Sequence, residues 1–354
     1  MRSLACLSIL LLHVLDRVYM HENDAVNMIS VLLTFGTPTF VFISEFVLSY
    51  SYKGEVPRSF WQNRIKYIFL PYLFFGSFYA FAKAFEQAGL SDALPATFFH
   101  LLWRHILLGD YHGYFILIIF QFYALHLIFI KYFQQTDPRK VIGLSLCINL
   151  AYLAFFNFVP PLPIPFADYI WAQYYWVPFA GWLFYFSLAF YSGRYYESFK
   201  QLVLTYRHWA TISVIIFGAI AITLYNLEVL PVASSKRVDM LFFTTSMILF
   251  LYSIAMRLPR VPAFFVWVSK YSFGIYLFHP FFLAIFASLR GLWGWIPPLV
   301  AVPVLFFATI ILSVGAVYIV NKLPFGAYLV GKVGISNKPS KSFAPIEKTT
   351  MKAQ

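Results

Sequence analysis

The chain has 354 residues, of which 61% are hydrophobic and only 11% are charged. A soluble domain is about half apolar and about a quarter charged, so this composition excludes an ordinary soluble protein and indicates a polytopic membrane protein. The formal net charge of +12 would suit a nucleic-acid-binding protein, but the placement of the charges indicates membrane topology instead. Cys6 and Cys147 both lie in apolar runs, and they predict neither a disulfide framework nor a metal site.

Ten apolar runs are long enough to cross a hydrocarbon core of about 30 Å, and they predict an all-α protein with about ten transmembrane helices. The predicted spans cover about residues 2–19, 27–51, 64–85, 112–133, 139–159, 172–192, 209–228, 239–256, 264–288 and 297–320. A shorter apolar run at 94–108 predicts an interfacial or re-entrant segment rather than an eleventh span. The first span has no small-residue cleavage site, so we expect it to be retained as a membrane helix.

The basic residues predict the orientation of these spans. Of the 26 Lys and Arg residues, 20 fall at the N-terminus, in alternate connections or in the C-terminal segment. The positive-inside rule assigns that side to the cytoplasm, so both termini are predicted to be cytoplasmic. We expect residues 1–322 to form one transmembrane domain. Residues 323–354 are expected to form a basic cytoplasmic tail that is largely disordered, because from Asn337 onward it has little apolar surface to bury.

The first span carries a histidine in the middle of its apolar run. Eleven helical steps separate Arg2 from His13, which places the two side chains on nearly the same face and about 16 Å apart. An ionisable group at that depth is costly unless it faces a protein interior, so His13 is a candidate functional residue. Hydrogen bonding to a neighbouring helix, as part of packing, is the alternative interpretation.

Other spans also contain costly polar groups. Glu45 lies near the middle of the second span, where it is expected either to pair with an arginine or histidine of another span or to act as a base. His112 opens the fourth span, and His279 lies about 13 Å along the ninth span from Lys270. Together these residues predict a polar cavity with basic residues at its inner end. Prolines and aromatic residues at 157–171 predict an interfacial belt, with a sugar-binding groove as the second interpretation.

Five short motifs resemble those of the type 3 integral-membrane acyltransferase family, whose members modify exopolysaccharides, including the intercellular-adhesion type, lipopolysaccharides and peptidoglycan. The matching residues are, in chain order, Arg2 with His13, Phe42–Phe46, Arg64–Tyr72, His112–Phe115 and Ser272–His279. Each motif alone is weak, but all five occur in the family's order over nearly the whole chain. Glu45 stands where the family pattern has glycine, which is a departure from that pattern.

The resemblance implies a bacterial plasma-membrane enzyme that moves an acetyl or succinyl group from cytoplasmic acyl-CoA to a hydroxyl of an extracytoplasmic glycan. Acyl-CoA would be a co-substrate, with no bound cofactor or metal, and polysaccharide-synthesis proteins are possible partners. The chain contains no phosphate-binding glycine loop and no Gly-x-Ser-x-Gly elbow, which argues against a nucleotide-driven pump or a hydrolase.

Roles on the donor side follow from charge and from proton chemistry. Cations on the inner face would hold the anionic donor, and the candidates are Arg2, Arg64, Lys66 and Lys270. An imidazole with a reference pKa near ~6.5 can accept a hydroxyl proton and return it to the leaving thiolate, so His13 is the expected general base. A transient acyl group on His13 is the alternative, and His279 is the alternative base.

The remaining candidates lie around this centre. Glu45 is expected to orient or deprotonate His13, and His112 and Asp110 are expected to contact the acceptor at the outer mouth. Ser44 and Tyr276, which fall inside matched motifs, are further candidates for substrate binding.

Two other functions also fit the composition. A transporter or exporter of a glycan or a proton-coupled solute could use the same polar groups, although no internal repeat is evident. A non-catalytic partner of a polysaccharide synthase is a third possibility, but a scaffold has little reason to keep costly polar groups at the membrane centre.

Overall fold

The computed structural model describes residues 1–20 and 22–333. These residues form an all-helical bundle with no β-strand among them. The seventeen α-helices of the described residues are α1 Arg2–Tyr19, α2 Asp24–Leu33, α3 Gly36–Ser51, α4 Phe60–Arg64, α5 Leu70–Ala88, α6 Leu94–Trp103, α7 Tyr114–Ile128, α8 Pro138–Phe158, α9 Ala167–Ala172, α10 Leu183–Arg194, α11 Tyr196–Thr205, α12 Arg207–Asn226, α13 Met240–Arg257, α14 Ala263–Ser288, α15 Arg290–Trp293, α16 Pro298–Val320 and α17 Gly326–Val330.

Several helices are joined or interrupted by shorter turns. Three π-helical turns continue α4, α6 and α7, and they cover Ile65–Phe69, Arg104–Leu108 and Phe129–Phe133. Such turns widen a helix locally and are common near functional sites. Two helix starts are capped by side chains, because Asn23 accepts a hydrogen bond from the amide of Val26 and Asp137 accepts one from Arg139.

Eight stretches of the described helices are long and apolar enough to cross a membrane, so the chain is a multi-pass membrane protein. Two predicted spans are not among these eight. The first, α1, carries three charged residues in its 18, namely Arg2, Asp16 and Arg17. The second is the predicted span at 172–192, which is broken. The count of ten and the orientation of the termini stay predictions.

The break has a clear physical cause at Pro178, which has no N–H to donate. Short turns at Tyr174–Trp176 and Phe179–Trp182 precede the regular helix α10. The freed backbone groups are satisfied by Gln121 of α7, whose amide donates to the Val177 carbonyl at 2.9 Å and whose oxygen accepts from the Phe179 amide at 2.8 Å. This clamp meets the requirement that backbone polar groups in a membrane be paired inside the protein.

The bundle packs around two main cores. In one, α10 crosses α3 and buries an aromatic cluster that includes Phe42, Phe122, Phe186 and Phe190. In the other, the apolar face of α1 packs against α14 and α16. α1 also contacts α3, so α1 lies between the two cores and its remaining face is available to a cavity.

The chain continues to pack beyond the predicted domain boundary at residue 322. Helix α17 contacts the π turn at Ile65–Phe69, and Val330 is buried against Phe75 and Leu277. The packed part of the chain therefore extends to at least Val333. The rest of the predicted tail, 334–354, lies outside the described residues.

Gly193 sits at the closest approach of α10 to α3. A Cβ at this position would lie 2.5 Å from the Phe46 carbonyl oxygen and 2.9 Å from the Tyr50 amide nitrogen. Gly193→Ala should therefore force α10 and α3 apart and lower the free energy of unfolding by about 1–3 kcal/mol. The measurement is the thermal unfolding midpoint of the detergent-purified protein.

The matched control is Gly315→Ala in α16, where a Cβ would meet no atom within 4 Å. We expect its midpoint to stay near the wild-type value. Equal midpoints for the two variants would contradict the close packing of α3 and α10.

Candidate active site

A cavity of about 740 Å³ runs along α1 through the bundle. At one end it is lined by Arg2 and Lys332, so we call this the terminal end. At the other, here called the far end, it is lined by Lys83, Asp110 and Lys236. Arg2, Lys332 and Lys83 are all exposed, so the cavity reaches residues at the surface at both ends. It can therefore receive groups from two directions.

Two histidine rings stack between these ends. His13 of α1 and His279 of α14 have ring centroids 5.3 Å apart with an interplanar angle of 29°. Both rings line the cavity, and 44% of the His13 side chain is exposed there. His13 therefore faces a protein-lined space rather than lipid. Its Nδ1 lies 3.9 Å from an Asp16 carboxylate oxygen, beyond hydrogen-bond distance.

The second ring is held in one tautomer by the backbone of its own helix. Nδ1 of His279 lies 3.0 Å from the Ile275 carbonyl oxygen and 2.9 Å from that of Tyr276. Carbonyl oxygens only accept hydrogen bonds, so Nδ1 carries the proton. Pro280 explains the geometry, because a proline inside α14 leaves the Tyr276 carbonyl without its usual amide donor. Nε2 of His279 is buried without a partner in the described structure and is free to accept a proton.

A third histidine, His112, lies next to this pair on the way to the far end. Its ring centroid is 5.9 Å from that of His279, and the Tyr79 ring contacts it edge-on at 4.7 Å. The Tyr276 hydroxyl donates to the His112 carbonyl, which ties α14 to the turn that precedes α7. The cavity therefore contains a row of imidazoles on rigid supports.

The terminal end is lined by cations and hydroxyl groups. Lys332 reaches it because Gly331 adopts a left-handed conformation with φ of 80°, where a Cβ would lie 2.6 Å from the Phe273 ring. Its ammonium lies 5.7 Å from the ring centroid of Tyr67, and Arg2 lines the same end. Neither cation forms an ion pair with a carboxylate of the described residues.

Seven of the sequence-predicted residues line this one cavity. They are Arg2, His13, Ser44, Asp110, His112, Tyr276 and His279.

Three predicted donor-binding cations lie elsewhere. Arg64 stacks behind the cavity wall, 4.2 Å from the Phe60 ring centroid and 5.5 Å from that of Tyr123. Lys66 and Lys270 are exposed and do not line the cavity. Contrary to expectation, none of the three lines the cavity, because helical spacing does not determine which surface residues face an interior cavity. Their role in donor binding stays a prediction.

The expectation that Glu45 orients His13 is also wrong. Glu45 is fully buried and its Oε1 lies 2.6 Å from Nδ1 of His126 on α7. Both side chains have no exposed surface, and neither lines the cavity. The alternative interpretation, a structural pairing with a histidine of another span, describes Glu45 correctly. The pair fastens α3 to α7 directly behind Ser44, which does line the cavity.

The far end is partly built from the segment that the sequence assigned to an interfacial belt. Tyr169 is the residue of 157–171 that lines the cavity, and Gln173 and Trp176 of the following predicted span line it as well. Asp110 is paired with Arg104 at 2.6 Å, and the Arg104 guanidinium lies 5.2 Å from the Tyr169 ring centroid.

Sequence reasoning missed several lining residues, of which Lys83, Lys236 and Lys332 carry charge. Lys332 lies in a stretch that resembles a tail in composition, and its only local signal is the preceding Gly331. Lys236 lies in a connection between α12 and α13, where a lysine on the predicted outer side is unusual. This exception to the positive-inside pattern is the sequence feature that could have identified Lys236 as a candidate site residue.

Comparisons with known proteins agree with this architecture. A protein-family model described as "Acyltransferase domain" matches residues 1–318. The Bacillus subtilis (strain 168) protein that carries the name membrane-bound acyltransferase YfiQ is 36% identical over 343 residues, which cover 94% of this chain and 93% of that protein. No solved structure matches the chain.

More distant relatives carry a different name. A Staphylococcus aureus (strain N315) protein named as a poly-beta-1,6-N-acetyl-D-glucosamine export protein is 25% identical over 352 residues, covering 92% of this chain and 95% of its own. The Staphylococcus epidermidis protein of the same name is 26% identical over 308 residues, or 80% of this chain and 79% of its own.

The family match spans nearly all of the described helices, and the Bacillus relative is similar along almost its whole length. The chain is therefore a member of the type 3 integral-membrane acyltransferase family, an enzyme that transfers acyl groups.

Proposed function

We propose that this enzyme moves an acetyl or succinyl group from cytoplasmic acyl-CoA to a hydroxyl of an extracytoplasmic polysaccharide. The observation that carries the proposal is the stacked pair His13–His279. It lines a cavity whose terminal end has cations that pair with no carboxylate of the described residues, and whose far end has aromatic, polar walls. A donor and an acceptor can approach such a pair from opposite directions.

Charge supports the donor side of this proposal. Arg2 and Lys332 at the terminal end have no carboxylate partner within residues 1–20 and 22–333, and phosphate groups of acyl-CoA are anions that suit them. The excess of Lys and Arg on the side of the termini supports a cytoplasmic location for this end, by the positive-inside rule. Arg2 and His13 lie on one stripe of α1 about 16 Å apart, so a thioester arm can follow that stripe inward.

His13 is the proposed general base, because its ring is the more accessible of the stacked pair. The imidazole accepts the proton of an acceptor hydroxyl as the hydroxyl oxygen attacks the thioester carbon. The carbon–sulfur bond then breaks, and the same proton returns to the thiolate. A transfer through an acyl group on His13 stays the second route.

His279 acts in this scheme as a positioning residue. Only 3% of the residue is exposed, and its proton is held at Nδ1 by two backbone carbonyls. The fixed ring presents a flat face on which the His13 ring stacks. Such support holds a catalytic side chain in the geometry that the reaction requires.

Two observations support a polysaccharide as the acceptor: the residues that line the far end of the cavity, and the names of the Staphylococcus relatives. Trp176 and Tyr169 offer aromatic faces, and Gln173 and Asp110 offer polar atoms, which together suit a sugar ring. The Staphylococcus relatives carry the name of a poly-N-acetylglucosamine protein, which supports a glycan as the acceptor class.

Those same names make glycan export the second candidate function. The cavity passes through the bundle, and the relatives that are named for export cover most of this chain. The two functions separate in one assay, because only an acyltransferase forms a new ester when purified protein is mixed with acyl-CoA and a soluble oligosaccharide. Mass spectrometry of the oligosaccharide detects the added mass and identifies the acyl group.

His13→Ala should lower the rate of ester formation in that assay by about 10²- to 10⁴-fold, the usual contribution of a general base. His279→Ala should lower kcat by a smaller factor. His279→Asn should recover part of the loss, because its amide can replace the Nδ1–H donor to the backbone carbonyls. Each variant is compared at equal amounts of folded membrane protein.

The control is His208→Ala, which removes an exposed imidazole of α12 outside the cavity and should leave the rate unchanged. A wild-type rate for His13→Ala would contradict the assignment of the base. Identical rates for the alanine and asparagine variants of His279 would contradict its positioning role.

Lys332→Ala should raise the KM for acyl-CoA by about 10-fold or more, since it removes a charge-assisted contact to a donor phosphate. It should change the KM for an acyl-pantetheine thioester, which has no phosphate, far less. Steady-state kinetics with the two donors make the comparison.

Lys322→Ala is the matched control, because Lys322 also lies over a tyrosine ring, 4.6 Å from Tyr318, but does not line the cavity. Its KM values should match those of the wild type. An equal rise in the KM values for both donors in Lys332→Ala would contradict the assignment of Lys332 to the phosphate site.

A further inference from the structure

The ammonium group of Lys236 lies at the far end of the cavity. The Nζ atom of Lys236 lies 4.2 Å from the ring centroid of Trp176 and 4.9 Å from that of Tyr114. All three residues line the cavity. Lys236 forms no ion pair with any carboxylate of residues 1–20 and 22–333. The aromatic rings hold its position, but they leave its charge uncompensated.

The backbone around Lys236 is held firmly in place. The next residue, Arg237, is 2% exposed and forms a two-point ion pair with Asp239, at 3.0 Å from Nε and 2.7 Å from Nη2. Asn157 accepts from the Val238 amide at 2.8 Å and donates to the Lys236 carbonyl at 3.3 Å. These contacts fix the backbone on both sides of Lys236, which limits the positions that its ammonium can take in the cavity.

The other charges of the far end do not neutralise Lys236. Asp110 is the carboxylate that lines this end, and Arg104 already binds it at 2.6 Å. Lys83 adds a second positive charge to the lining. A cation–π contact offsets only part of the cost of taking an ammonium out of water. Among the described residues, the lining of the far end therefore carries more positive than negative charge.

We propose that Lys236 binds a carboxylate of a substrate, with Trp176 and Tyr114 enclosing the apolar part next to it. The inference rests on the proposed function and specifies its substrates more closely. The carboxylate can come from the acyl group, as in succinyl, or from an acidic sugar of the acceptor. Both present the same chemistry to the ammonium, and Ser235, which is buried and lines the cavity beside Lys236, adds a hydroxyl donor.

The test compares donors and acceptors of known charge with the purified protein. Acetyl-CoA and succinyl-CoA are each paired with a neutral oligosaccharide and with one that contains a uronic acid. Lys236→Gln should lower the ratio of kcat/KM for the carboxylate-bearing substrate over that for its neutral counterpart by about 10- to 100-fold. A change in the donor ratio identifies the acyl group as the source, and a change in the acceptor ratio identifies the sugar.

Lys322→Gln serves as the matched control, since its ammonium also lies on a tyrosine ring but outside the cavity. Both ratios should keep their wild-type values in this variant. Unchanged donor and acceptor ratios in Lys236→Gln would overturn the proposal. Equal losses with all four substrate pairs would also overturn it, because they would show a structural effect and no recognition of a carboxylate.

A binding measurement keeps this test separate from the proposed function. Succinate alone should raise the thermal unfolding midpoint of the wild-type protein and should raise that of Lys236→Gln much less. A midpoint that succinate shifts equally in both proteins would overturn the carboxylate site even if the enzyme forms esters. Succinate binding that depends on Lys236, in a protein that forms no ester, would instead support the site and contradict only the proposed transfer.

Discussion

The contact between the rings of His13 and His279 is the interaction on which the architecture depends. A hydrocarbon interior offers no partner for an imidazole, so each ring must be satisfied by protein or by a cavity. The structure uses both solutions. Two backbone carbonyls, of which Pro280 frees that of Tyr276, hold His279, and His13 stacks on it at 5.3 Å while facing the cavity. Helices α1 and α14 therefore contact each other where the two imidazole rings line the cavity.

The charged residues fall into two groups with different structural roles. Glu45 is paired with His126, Arg104 with Asp110, and Arg237 with Asp239. The first pair joins α3 to α7, and the other two stabilise the local segments that contain them. In contrast, Arg2, Lys332 and Lys236 line the cavity without a carboxylate partner in the described chain. Buried pairs of the first kind are costly to break from one side. Unpaired cations of the second kind are available for anionic groups of substrates.

Apolar runs and helical spacing were enough to predict an all-helical membrane protein and to place Arg2 and His13 on one stripe of α1. They could not predict that His126 is the partner of Glu45, because periodicity gives the face of a helix but not the helix that lies opposite. The position of Lys332 in the cavity lining could not be predicted, because it depends on the positive φ of Gly331, beyond the last long apolar run. The break at Pro178 was missed since Gln121, distant in sequence, satisfies its backbone.

The most direct test of the account asks whether one centre serves substrates on opposite sides of a membrane. The purified protein is reconstituted into sealed vesicles with acyl-CoA enclosed and the oligosaccharide added outside. We expect acyl esters on the external oligosaccharide, at a rate that falls to background in vesicles without acyl-CoA. Ester formation only when both substrates are on the same side of the bilayer would contradict a cavity that joins the two surfaces at His13.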